Sequence, residues 1–148
     1  SGNWGGGGTT PVEKEAKFFA FDPKKKQKIF ESALVPGARS YPATVAANGK
    51  VFTTVGDQLL VFNPATMTVD KTVKLPGGQT EISLDRHKSG RLIGLAGRNI
   101  YTFDPEKLEI VAQVKAPVAI RCGFALTDDA VYFGSGKELW RYRLPAGL

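Results

Sequence analysis

One cysteine and one histidine stand in a chain of 148 residues. A lone Cys122 forms no internal disulfide and supplies no thiolate zinc site. With Ile120 and Phe124 beside it, it reads as a small buried hydrophobe. A nucleophilic cysteine would need a histidine nearby, and His87 falls at the opposite end of its own segment. A single histidine also cannot supply a metal centre of several ligands. No apolar run approaches 18 residues, so no transmembrane helix is expected. The opening SGNWGGGGTT lacks the basic and then apolar pattern of a signal peptide, and none is expected in this chain. Gly5, Gly6, Gly7 and Gly8 are not followed by Lys-Ser/Thr, which excludes a P-loop, and no GxGxxG motif occurs. No nucleophile–base pair or productive carboxylate pair is evident, so neither a catalytic residue nor a cofactor nor a metal site is expected. No segment carries a helical period. The 17 glycines and nine prolines spread among turns argue against helices.

What is present is ordinary for one globular domain: 42% hydrophobic and 23% charged residues, enough to bury a core. Twenty basic against 14 acidic residues give a net charge of +6. A basic balance invites an anionic partner. Four of the cations sit together in Lys24-Lys25-Lys26-Gln27-Lys28, just after Asp22-Pro23. That cluster reads as a solvated turn, or alternatively as a patch for an acidic polysaccharide or phosphate. Aromatic residues are not interleaved with the lysines, so no nucleic-acid partner is expected.

The chain repeats. Phe21-Asp22-Pro23 returns as Phe62-Asn63-Pro64 and as Phe103-Asp104-Pro105, at equal intervals of 41 residues, with Tyr142-Arg143-Leu144 a degenerate fourth copy. Each copy follows a short segment ending in glycine: NWGGGG, VFTTVG, LIGLAG and VYFGSG. Within one unit, residues 41–47 read as a strand and Asn48-Gly49 as a hairpin turn. Residues 51–55, 59–62 and 68–75 read as three more strands, with Asn63-Pro64 opening a type I turn between the last two. The next unit repeats the plan with strands at 82–84, 91–96, 100–103 and 109–114. Four antiparallel strands per 40–45 residues is the period of a β-propeller blade. The expected architecture is therefore all-β: propeller blades of four antiparallel strands, forming a partial ring or one completed by oligomerisation. The units fall near 1–37, 38–77, 78–117 and 118–148, as a single propeller segment.

These units resemble the β-propeller repeats of the YVTN and quinoprotein-like type, in which a strand ends in Asp-Pro-x-Thr before the outer strand. VFNPAT and YTFDPEK are the nearest matches. The first unit is also similar to the tryptophan-docking pattern of quinoprotein repeats: Ala20 and Asp22 match, Phe30 stands where the tryptophan would be, and Lys26 occupies the glycine position. The resemblance implies a fold and no single activity. Its first unit lacks strand one and its last lacks strand four, so the chain resembles the C-terminal half of a larger propeller. It would supply about half of a seven-bladed ring at roughly 41 residues per blade. The partner implied is the remaining half: another chain, a cleaved segment or a second copy.

Ligands of such propellers usually sit at the axis, among loops entering the innermost strands, which makes Arg39, Tyr41, Gln79, Glu81 and Arg121 the candidate ligand-binding residues. Two guanidiniums, a carboxylate and a phenol suit an acidic sugar or another anion. Alternatively, Glu81 and Arg121 are ion partners lining a wet channel between blades. Asp85, His87, Asp128 and Asp129 occupy equivalent turns at the other face, where acidic residues are common without metal. Trp140 lies mid-strand and reads as inter-blade core, while Trp4 could stack on a sugar. The expected function is a non-catalytic binding or scaffold module recognising a protein or a glycan. The alternative is half of a propeller enzyme, a lyase or quinoprotein-like oxidoreductase, whose active site needs the other blades. An extracellular or cell-envelope location is the expected address.

Overall fold

The computed structural model describes residue 10 and residues 13–78 and 83–146. Among these, every regular element is a β-strand. β1 (Phe18–Asp22) and β2 (Gln27–Ser32) form a two-stranded sheet. β3 (Thr44–Ala47), β4 (Lys50–Val55), β5 (Gln58–Asn63) and β6 (Thr68–Lys74) form a four-stranded sheet in chain order. β7 (Leu84–Arg86), β8 (Leu92–Ala96), β9 (Asn99–Asp104) and β10 (Glu109–Lys115) form another. β11 (Cys122–Leu126), β12 (Ala130–Ser135) and β13 (Glu138–Arg143) form a three-stranded sheet. All neighbouring strands are antiparallel.

The turns follow their chemistry. Asn48 and Gly49 both take positive φ, at 48° and 71°, which a two-residue hairpin with the strands' own twist requires. Three outer turns are near copies. The side chains of Asp22, Asn63 and Asp104 each accept a backbone N–H two residues on. Lys26, Met67 and Leu108 then adopt the left-handed conformation, 41 residues apart, at φ 52°, 57° and 57°. On the outer strand, each of the three pairings slips by one residue just beyond this turn. The skipped positions are Ile29, Asp70 and Val111, so even the bulge keeps the repeat.

Some expected boundaries move. The strand expected from residue 41 starts at Thr44. Pro42 has no N–H to pair, and the Ala43 carbonyl turns to accept Thr54 N and Thr53 Oγ1. The first strand of the next unit runs through Arg86. Cys122, expected to be buried, is exposed: it lies opposite Gly134 on the side of the last sheet that no described sheet covers. Trp4 and the Gly5–Gly8 segment lie outside the described residues.

Sheets stack face to face. Phe18 and Phe30 of the first sheet meet Phe62 of the second at ring separations of 5.1 and 5.2 Å. Phe52, Leu59 and Val61 pack on Leu92, Tyr101 and Phe103 of the third. Ile93, Leu95 and Ile100 pack on Val131 and Phe133, with Trp140 and Tyr142 half-buried against them. Tyr101 lies over Gly94, where an added Cβ would sit within the ring's own contact shell. Burial raises the Tyr101 hydroxyl well above the ordinary phenol range.

Candidate functional site

The loops entering the first strand of each sheet carry the expected ligand residues. Arg39 and Arg121 are exposed, and among the described residues neither guanidinium is held by a hydrogen bond or ion pair. The two are not joined to each other. Tyr41 has structural work: its hydroxyl accepts the N–H of Leu34 at 2.9 Å and of Val35 at 3.3 Å, and its ring meets Phe18 edge-on at 5.7 Å. It fastens the segment between the first two sheets while remaining half-buried. Gln79 and Glu81 lie outside the described residues. The described part of this face is thus a pair of free guanidiniums on separate loops, chemistry suited to carboxylate or phosphate recognition.

The opposite edge holds a network that sequence reading missed. His87 is buried, 6% exposed, in the turn after β7. The Ser89 N–H donates to its Nδ1, which places the ring proton on Nε2. Nε2 then donates to the Asp128 carbonyl of the next sheet's turn at 3.0 Å. Lys88 Nζ and Asp128 Oδ2 pair alongside at 2.9 Å. The signal was present in the spacing, since His87 and Asp128 stand 41 residues apart, one repeat length. Asp129 accepts Thr127 Oγ1 and Arg141 Nη2, and these hold its carboxyl below the usual range, the threonine bond first. Among the described residues, no three metal-type ligands converge. The acidic turns here serve local hydrogen bonds and inter-sheet ties.

Other features are minor. A shallow groove of about 560 Å³ runs between the outer strands β6 and β10, lined by residues 74–76 and 110–113. The Thr54 and Tyr101 hydroxyls are buried without a hydrogen-bond partner among the described residues. No helix of the described residues is long and apolar enough to cross a membrane.

Repeated four-stranded antiparallel meanders, stacked through alternating apolar faces, define a β-propeller fold. Solved structures agree. The chain superposes on the structure of U3-55K with a TM-score of 0.66 at 13% identity, covering 89% of this chain and 44% of that one. It superposes on the Rrp9 WD40 repeats with a TM-score of 0.61 at 13% identity, covering 84% and 40%. The chain therefore spans less than half the length of these propellers. No protein-family model matches it, and no curated protein shows significant similarity.

Proposed function

We propose that this chain is a non-catalytic binding scaffold made of propeller blades, acting as part of a ring that other blades complete and recognising a protein partner. One observation carries this reading. Among the described residues, the large hydrophobic side chains that stand exposed, Phe19, Phe21, Ile29 and Leu139, all belong to the first and last sheets. Apolar surface left open at the two ends of a stack is surface meant to be covered.

The enzyme alternative has less support. Groups of catalytic type, His87, Ser89 and Asp128, are spent on the turn network. Arg39 and Arg121 favour an anionic group, a side-chain carboxylate or an acidic sugar, as the feature read on the axial face. For the blade type we favour the YVTN and quinoprotein-like repeat. Its support is the Phe-Asp/Asn-Pro turn and the left-handed Lys26, which takes the backbone conformation that the glycine of the docking pattern would adopt.

The test is the native mass of the 148-residue chain by light scattering after size exclusion, with intact mass spectrometry of everything that co-elutes. A scaffold in a completed ring elutes with additional blades, from itself or another polypeptide. Turnover of a small-molecule substrate by the purified chain would overturn the non-catalytic reading.

A further inference from the structure

We propose that the open face of the first sheet and the open face of the last sheet are two halves of one blade junction, and that their occupant is a second copy of this chain. Two copies then join head to tail and close one ring. This rests on the completed-ring reading above and names the partner.

The repeat supplies the argument. Positions 18, 59, 100 and 139 are equivalent and face the following sheet. Phe18 packs on Phe62, while Leu59 and Ile100 are buried in the next two junctions. Leu139, the fourth member, is 78% exposed. Positions 21, 62, 103 and 142 are likewise equivalent and face the preceding sheet. Phe62 packs on Phe18 and Phe30, Phe103 on Phe52, and Tyr142 enters the third junction. Phe21, the first member, is 54% exposed. Positions 19, 60, 101 and 140 repeat the pattern: Leu60, Tyr101 and Trp140 lie in junctions, and Phe19 is 51% exposed. The unfilled forward position and the unfilled backward positions are the two sides of the same contact that the chain makes three times internally. A head-to-tail contact of this kind closes when its rotation completes a ring.

Size agrees. The chain matches 44% of the U3-55K chain, so two copies span nearly one such propeller. Lys28 on the first open face pairs with Glu31 and Arg141 on the last with Asp129, while Arg143, on the same face as Leu139, is exposed. Arg141 also lies over the Tyr132 ring, 5.9 Å from its centroid.

Cys122 is a built-in reporter. It shares a cross-strand row with Gly134 and Leu139, so its thiol sits on the face to be covered. The experiment follows light-scattering mass and Cys122 reactivity toward an aromatic disulfide reagent across chain concentration. The expected result is twice the 15.9 kDa chain mass, with thiol reactivity falling as the dimer forms. Phe21→Asp and Leu139→Asp should each return the mass to that of one chain with unchanged far-ultraviolet dichroism. Both positions are exposed in the single chain, so folding is not at stake, and Leu139→Ser is the milder check. Mixing the two variants should restore a dimer, because one intact junction remains between them. A folded monomer at all concentrations, a dimer indifferent to both variants, or closure by a different polypeptide overturns the second-copy occupant. Closure by a different polypeptide, or a dimer indifferent to both variants, leaves the completed-ring reading standing; a folded monomer with nothing co-eluting removes that reading as well, and catalytic turnover removes the non-catalytic one.

Discussion

The two middle sheets and the two end sheets share one sequence plan and differ in what covers them. All five residues of β8 are buried, and so are four of six in β5. In β2 every residue but Phe30 is exposed, and β13 has no buried residue. Burial here is therefore a property of the stack and not of the unit. A repeat specifies the strands and turns, and its neighbours decide how much each apolar side chain contributes. The same alternation that makes Leu59 core makes Leu139 surface.

That contrast is sharpest at these equivalent leucines, and it predicts the largest effect. Leu59→Ala opens a cavity between the second and third sheets and should cost about 2–5 kcal/mol. Leu139→Ala, at 78% exposure, should stay within about 0.5 kcal/mol when the chain is monomeric. Urea unfolding followed by tryptophan fluorescence measures both. Equal losses at the two positions would break the distinction between middle and end.

Junctions also differ in polar ties. The third and fourth sheets are joined by the His87–Asp128 bond and the Lys88–Asp128 pair as well as by apolar packing. His87→Ala removes a buried donor and strands the Asp128 carbonyl, so it should cost about 1–3 kcal/mol. Hydrogen exchange should show the loss concentrated in β11–β13, with the second sheet unaffected. A uniform rise in exchange would mean the sheets unfold as one unit.

Much of this was legible in the sequence because its signals are local. Asn48-Gly49 and the Phe-Asp-Pro turns fix chain reversals within a few residues, and the strands between them alternate with period two. Open ends were expected from the incomplete end units, but which side chains they leave exposed was not legible. Cys122 has apolar neighbours in sequence, yet the irregular pairing between Cys122 and Ala125 and the lack of a described sheet beyond set its exposure. Tyr41 looked like a ligand residue, but its phenol reaches back to the N–H groups of Leu34 and Val35, a contact between loops that no periodicity encodes. Gln79 and Glu81 lie outside the described residues, and Arg39 and Arg121 sit on separate loops, their guanidiniums without a partner among the described residues.

The outer turns give a smaller effect of opposite sign. Leu108 holds φ at 57°, where a side chain with Cβ is strained by roughly 1–2 kcal/mol. Glycine removes that strain and loses roughly 0.5–1 kcal/mol through its freer unfolded chain. Leu108 also packs half-buried on the core between the second and third sheets, so its replacement carries a further loss. Lys26 at the same turn is exposed and carries no such packing. Lys26→Gly should therefore raise stability by up to about 1 kcal/mol, and Leu108→Gly should not. Thermal unfolding of the pair separates strain from packing at one backbone position.

The smallest effect compares Asp104 with Asn63, which cap the same turn in adjacent sheets. The N–H of Lys107, then that of Glu106, bind the Asp104 carboxylate, and nearby Arg91 adds a positive field, so its pKa lies below the usual carboxylate range. A group with a depressed folded pKa contributes stability above its unfolded pKa and loses it as pH falls through the folded value. The contribution of Asp104 is thus intact above about pH 4 and fades below it. Solvent screening at this exposed site keeps it small. Asn63 makes the corresponding bond to Ala65 N–H with an amide oxygen that does not titrate in this range. Asp104→Asn should therefore be nearly neutral at pH 7 and should flatten the acid limb of the stability curve. The reciprocal Asn63→Asp is not its mirror image. The Asn63 amide donates to Asp70, so a carboxylate there meets a like charge and should destabilise the chain near neutral pH, less so as acid protonates the pair. Chemical unfolding of both variants at pH 7 and pH 3 distinguishes the cases, and an unchanged acid limb in Asp104→Asn would show that this turn does not couple to folding.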